Sequence, residues 1–204
     1  WVDGKRGLYH SVLQEMDSQL GKLFDLISND PALRDNTLVL VCSDNGPEQG
    51  AGSAGPFRGF KTHLYEGGVR SSLIAWGPGL AVQAAAESSA VVRAMDWYPT
   101  LATLAGIRVP ADRVIDGRDI SPLLKGETDR VPAPEMKKSL NATVPLRRRW
   151  NPPGEWAALI DRNEYNNAFF YHGSQGALAA VRWRNWKLYL NPSLQLYDLA
   201  KDPS

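Results

Sequence analysis

The chain has 204 residues, 43% hydrophobic and 22% charged, with a formal net charge of +1. These are the proportions of a globular protein able to bury a sizeable core, and the even charge balance excludes a general nucleic-acid binder, which carries a marked basic excess. A single cysteine, Cys42, excludes an internal disulfide framework, and no apolar run approaches the ~20 residues that span a bilayer.

Leu13, Met16, Leu20, Leu23 and Ile27 fall on one face of a helix predicted from about Gly7 to Ser28. Asp30-Pro31 ends it. Thr37-Leu38-Val39-Leu40-Val41-Cys42 is apolar or β-branched without alternation, which predicts a strand buried on both faces. A helix followed by such a strand predicts an α/β fold with a mostly parallel sheet flanked by helices. Ser72 to Trp76 reads as a second short strand, closed by Gly77-Pro78-Gly79. Val91 to Ala105 reads as a helix with Val91, Met95, Tyr98, Leu101 and Leu104 on one face, a break at Pro99 and a C-cap at Gly106.

From Val131 to Gly154 the chain is proline-rich, holds the basic run Arg147-Arg148-Arg149, and lacks periodicity; it reads as a long connecting loop. Residues 168–172, 179–183, 186–190 and 195–199 then read as strands of a small antiparallel sheet, with Arg184-Asn185 as a two-residue hairpin turn. Trp156, Trp183 and Trp186 predict an aromatic-rich sub-core there. The first residues, Trp1-Val2-Asp3-Gly4-Lys5, lack the pattern of an export signal. Both ends run directly into predicted elements, and the chain reads as a fragment of a longer protein.

The chemistry concentrates in two segments. Ser43-Asp44-Asn45-Gly46 follows the first strand. Asp, Asn and Gly are common turn formers, but a hairpin tip does not suit a strand buried on both faces. Ligands of α/β sheets gather outside the carboxyl ends of the strands. There, one carboxylate and one amide carbonyl are hard oxygen ligands suited to Ca²⁺ or Mg²⁺, though only two of the roughly six to eight that Ca²⁺ takes. The second segment, Gly59-Phe60-Lys61-Thr62-His63-Leu64-Tyr65-Glu66-Gly67-Gly68-Val69-Arg70, sets a lysine among glycines that let backbone approach an anion closely. Lysine is a compact point charge suited to an oxyanion. Glu66 and Arg70, four apart, pair if the stretch is helical. Cys42, at the end of an apolar run, reads as core. His10 and His172 have no partner at metal-ligand spacing. Asn141-Ala142-Thr143 fits a glycosylation acceptor.

These segments resemble the sulfatase family of the alkaline-phosphatase-like superfamily. Residues 9–21 resemble the family's helix before the metal strand, Leu40-Val41-Cys42-Ser43-Asp44-Asn45-Gly46 its metal-binding strand end, and residues 59–70 the segment with its sulfate-contacting lysine. Asp96-Trp97-Tyr98-Pro99-Thr100-Leu101 and Gly106 match the helix that follows, while Trp186-Lys187-Leu188 and residues 196–203 resemble the end of the C-terminal subdomain. Arg184-Asn185 stands where relatives often have Gly-Asp.

The resemblance implies a Ca²⁺-dependent hydrolase of sulfate esters acting on a sulfated small molecule or glycan. It makes Asp44 and Asn45 metal ligands and Lys61 a catalytic sulfate ligand. His63, where the family commonly has a small or hydroxyl residue, becomes a second substrate contact. The family nucleophile is a formylglycine made in a Cys/Ser-x-Pro/Ala-x-Arg motif, and no segment here fits it. The resemblance divides the chain into residues 1–130, the C-terminal part of the α/β domain, the loop 131–154, and the truncated antiparallel subdomain 155–204. It also implies an exported, periplasmic or lysosomal-like location. The alternatives are a phosphatase or phosphodiesterase relative on the same scaffold, and a non-catalytic module binding sulfated glycans through Arg147 to Arg149 and the tryptophans.

Overall fold

The computed structural model describes residues 4–113, 115–131, 168–173, 175–190 and 193–202. The chain divides into two compact units. One comprises Trp1–Ser89, Pro122–Asp129 and Asp198–Ser204; the other comprises Ala90–Ser121 and Arg130–Tyr197. The connecting loop from residue 132 onward, with Arg147 to Arg149 and Asn141, lies outside the described residues.

The first unit opens with helix α1 (Lys5–Asn29). Asp30 is extended, as the residue before a proline must be. Its carboxylate accepts the Ala32 N–H at 2.9 Å and so caps the one-turn helix α2 (Pro31–Arg34). Strand β1 (Val39–Cys42) pairs with β2 (Leu73–Trp76), Val39 lying opposite Trp76 and Cys42 opposite Leu73. The ring of Phe24 on α1 meets Trp76 edge-on at 5.4 Å, and Ile27 is buried.

Three expectations are corrected here. The β1–β2 pairing is antiparallel, not parallel. An unbroken apolar run reports burial but not direction; direction follows the connection, and residues 43–72 return with only one turn of helix, α3 (Glu66–Val69), in place of a long crossover. Strand β1 is half-buried, and Cys42 is exposed, not core. The apolar stripe of α1 is largely bare: Leu13, Met16 and Leu23 are exposed, and only its C-terminal end reaches Trp76.

In the second unit a 3-10 turn (Ala94–Asp96) leads into α4 (Trp97–Leu104). Pro99 is its third residue, in the first turn, where no helical partner for an N–H is needed. Gly106, at φ +68°, ends the helix: its N–H reaches Thr103 O at 3.0 Å and the Ile107 N–H reaches Ala102 O at 2.8 Å, the Schellman pattern. The face that is buried is not the apolar one. Met95, Tyr98 and Leu101 are exposed, while Asp96, Pro99 and Thr100 are buried. The hydrogen-bonding capacity of Asp96 and Thr100 decides this, as both bind the backbone of residues 118–120. Helix α5 (Ser121–Leu124) follows.

Strands β3 (Phe169–His172), β4 (Leu178–Trp183), β5 (Trp186–Tyr189) and β6 (Gln195–Asp198) form a sheet in that order, near the expected spans. The β3–β4 and β4–β5 pairings are antiparallel, and Trp183 opposes Trp186 across a two-residue turn with Arg184 at φ +54°. One face is aromatic but built around a cation. Lys187 is fully buried, 4.2 Å from the Tyr171 ring centroid and 5.2 Å from that of Tyr189, a cation–π arrangement that offsets part of the cost of burying the charge. Among the described residues no helix is long and apolar enough to cross a membrane.

Candidate functional site

Asp44, Asn45, Lys61 and His63 all lie in the first unit. Residues 43–47 leave β1 as an irregular segment tied at both ends. The Ser43 N–H donates to Ser72 O at 3.2 Å, which prolongs the β1–β2 ladder by one step, and the Ser43 hydroxyl donates to Asn45 O at 2.9 Å. Asp44 is exposed, Asn45 half-buried and Gly46 buried.

The second segment forms a loop that folds back on itself. The Gly67 N–H donates to Arg58 O at 2.8 Å and closes its neck. His63 closes the tip: its N–H donates to Phe60 O at 2.9 Å, and its Nδ1 accepts the Phe60 N–H at 3.3 Å. With Nδ1 engaged in this way, Nε2 is the ring nitrogen left to meet a ligand. Two guanidinium groups brace the sides, Arg58 over Tyr65 at 4.0 Å and Arg70 over Phe57 at 4.3 Å. The expected Glu66–Arg70 pair is present at 2.7 Å, with Glu66 fully buried.

The fold brings the two segments together. The Lys61 N–H donates to Pro47 O at 2.9 Å, three residues beyond Asp44, and the Gly46 N–H donates to Gly68 O at 2.9 Å. Lys61 and His63 are exposed. Glu48 is taken up by Lys5, whose ammonium lies 3.0 Å from its carboxylate and 3.0 Å from Gln49 O. The hydrogen bond and charge of Lys5 hold the Glu48 carboxyl below the usual range, and the Lys61 charge adds to this against a small opposing effect of burial.

Sequence reasoning singled out Asp44, Asn45, Lys61 and His63 but missed what joins their segments. A Cβ on Gly46 would overlap the carbonyl of Gly67, one on Gly67 that of Gly59, and one on Gly68 those of Phe60 and His63. Three glycines let these backbones touch. The signal was the Gly67-Gly68 dipeptide opposite a third glycine, which a linear reading does not pair. Among the described residues no group of three His, Cys, Asp or Glu side chains is gathered for a metal. Asp44 and Asn45 suit a hard cation in kind, but they fill only part of its shell.

Residues 4–107 match the family model described as Sulfatase. Human steryl-sulfatase is 31% identical in an alignment covering 98% of this chain and 35% of that protein. Canine N-acetylgalactosamine-6-sulfatase is 41% identical across 62% of this chain and 25% of its own length, and mouse arylsulfatase G is 38% identical across 85% and 33%. The crystal structure of Ps i-CgsB superposes with a TM-score of 0.67 at 25% identity, covering 99% of this chain and 38% of that one. The chain thus spans about a third of the length of these relatives. The match runs through both the Asp44 segment and the Lys61 loop, and on that ground the chain belongs to the sulfatase family.

Proposed function

We propose that this chain contributes part of a site for hydrolysis of sulfate esters. Asp44 and Asn45 act as two ligands of a Ca²⁺ ion, Lys61 as the catalytic charge that contacts the sulfate, and His63 as a second substrate contact through Nε2. The observation that carries this reading is the pair of backbone hydrogen bonds, Lys61 N–H to Pro47 O and Gly46 N–H to Gly68 O, that joins the lysine loop to the carboxylate segment.

The chemistry matches the residue types. Cleavage of a sulfate ester moves negative charge onto the sulfate oxygens and the leaving oxygen. A lysine held in place before the reaction attracts the anion, orients it and lowers the energy of that charge. A hard divalent ion, when bound, supplies further neutralisation of the same oxygens. Asp44 brings a carboxylate to that ion and Asn45 a neutral carbonyl. The Cys/Ser-x-Pro/Ala-x-Arg motif is absent from the sequence, so in this proposal the nucleophile, and the other metal ligands, come from outside the chain. The same applies to the parallel strands expected beside β1. The substrate class is a sulfated small molecule or glycan, and the location exported, periplasmic or lysosomal-like.

The test pairs turnover of the sulfatase that carries this chain with metal content. Asp44→Ala is expected to lose bound Ca²⁺ and nearly all turnover. Lys61→Ala is expected to lower kcat/KM by ~10²-fold or more, the scale of one preorganised charge contact, with Ca²⁺ retained. Two bound Zn²⁺ in place of Ca²⁺ would move the assignment to a phosphatase or phosphodiesterase. Sulfated-glycan binding that survives Lys61→Ala but not loss of Arg147 to Arg149 would move it to a binding module.

A further inference from the structure

We propose, resting on the sulfate-binding reading above, that Glu66 is a positioning residue. Its buried carboxylate, clamped by Arg70, sets where Lys61 stands relative to Asp44 and Asn45.

Glu66 opens the single helical turn α3, has no exposed surface, and its Oε2 is 2.7 Å from the Arg70 Nε. Arg70 is still partly open to solvent and lies over Phe57, on the far side of the loop neck. The pair therefore ties the end of the loop to its beginning. Between these ends a Cβ added to Gly67 or Gly68 would overlap the carbonyls of Arg58, Gly59, Phe60 and His63, so the turn that follows Glu66 lies close against the rest of the loop and admits only glycine. A Cβ on Gly46 would likewise overlap Gly67 from the other segment. A displacement of α3 would be passed to Lys61 through the loop and to Asn45 through Gly46.

Two observations point to position, not stability, as the purpose. A buried ion pair costs desolvation and is often matched by apolar side chains of the same volume, yet a carboxylate sits here at full burial. And Thr62, next to Lys61, has φ +76°. A β-branched residue in the left-handed region is strained by about 1–2 kcal/mol, and such strain persists only where the surroundings impose it. The turn closed by the His63 N–H to Phe60 O hydrogen bond holds Thr62 there, inside the loop that the Glu66–Arg70 clamp closes. A misplacement of about 1 Å suffices to lose ~10²-fold in rate, so the rigidity has a use.

The experiment uses the sulfatase that carries this chain, isotopically labelled, with inorganic sulfate as the probe and the amides of Lys61 and Gly46 as reporters. Wild type, Glu66→Gln, Lys61→Ala and the double variant are titrated, and amide exchange and Tm are measured on each. Glu66→Gln is expected to keep its Tm within a few degrees, to weaken sulfate roughly 10-fold, and to speed exchange of the Lys61 amide while leaving α1 unchanged. The double variant is expected to bind no more weakly than Lys61→Ala, because a residue that acts through Lys61 has nothing to act on without it. Additive losses, or wild-type affinity in Glu66→Gln, overturn the proposal. If Lys61→Ala itself binds sulfate as wild type does, or wild type takes none, the sulfate reading fails; exchange at Lys61 in Glu66→Gln then decides alone, and unchanged exchange overturns the positioning role. Should Glu66→Gln not fold, Arg70→Lys reads the same quantities.

Discussion

Among the described residues two carboxylates are completely buried, Glu66 and Asp96, and they are used differently. Asp96 is held by backbone. Its two oxygens accept the N–H groups of Arg93 and Arg118, each at 2.8 Å, and the Arg118 Nε lies farther away at 3.9 Å. Thr100 extends the clasp, donating to Asp96 O at 2.6 Å and accepting the Ile120 N–H at 2.9 Å. Burial, with the charge of Arg93, holds the Arg118 guanidinium below its ordinary range, and Asp96 opposes both. Glu66 pairs with a side chain that is itself part-exposed, in a loop that carries an exposed lysine. One carboxylate organises a folded unit from within; the other organises the approach to a surface. Equal burial does not mean equal role, and the partners tell the two apart.

The largest separation is expected from Asp96→Ala. It strands two part-buried N–H donors, at a cost of roughly 2 kcal/mol, which for a chain of this size lowers Tm by roughly 6 °C. Lys61 amide exchange in the first unit is expected to stay unchanged. Coupled loss at Lys61 would end the distinction between the two carboxylates. Next is Gly106→Ala, which forces a side chain into φ +68° at the end of α4 and is expected to cost about 1 kcal/mol, read by thermal melting.

Thr62→Gly sharpens the other side. Relief of the left-handed strain is partly offset by glycine's greater entropy when unfolded, for a net gain of roughly 0.5 kcal/mol. The same change is expected to weaken sulfate binding, because Lys61 is then less firmly placed; tighter binding in this variant would show that the strain serves no purpose. The smallest effect belongs to Lys5→Ala. Its ion pair with Glu48 is open to solvent, and such pairs contribute little, so no measurable change in Tm is expected.

Legibility in the sequence varied with the physics of each element. The α1 periodicity, the Asp30-Pro31 stop, the Gly106 cap and the four C-terminal strands were all readable, because each depends on neighbours within a few residues. The direction of β1 and the exposure of Cys42 were not, since both depend on which segment lies alongside. Nor was the choice of face on α4. Met95, Tyr98 and Leu101 made the more apolar stripe, yet backbone donors at residues 118 and 120 drew Asp96 and Thr100 inward. The same holds for Lys187, which sits buried beside Tyr171 of β3, a neighbour far away in sequence.

By itself, then, the chain's order of residues determined its family, the kinds of atom at its site and most of its local elements, because motif chemistry and short-range periodicity are written in neighbouring positions. The tertiary structure alone decided that Gly46 touches Gly67, that Lys61 hangs from Pro47, and which carboxylate serves packing and which serves placement. These depend on backbone approaching backbone across a loop, a contact that leaves no periodic trace in a linear text.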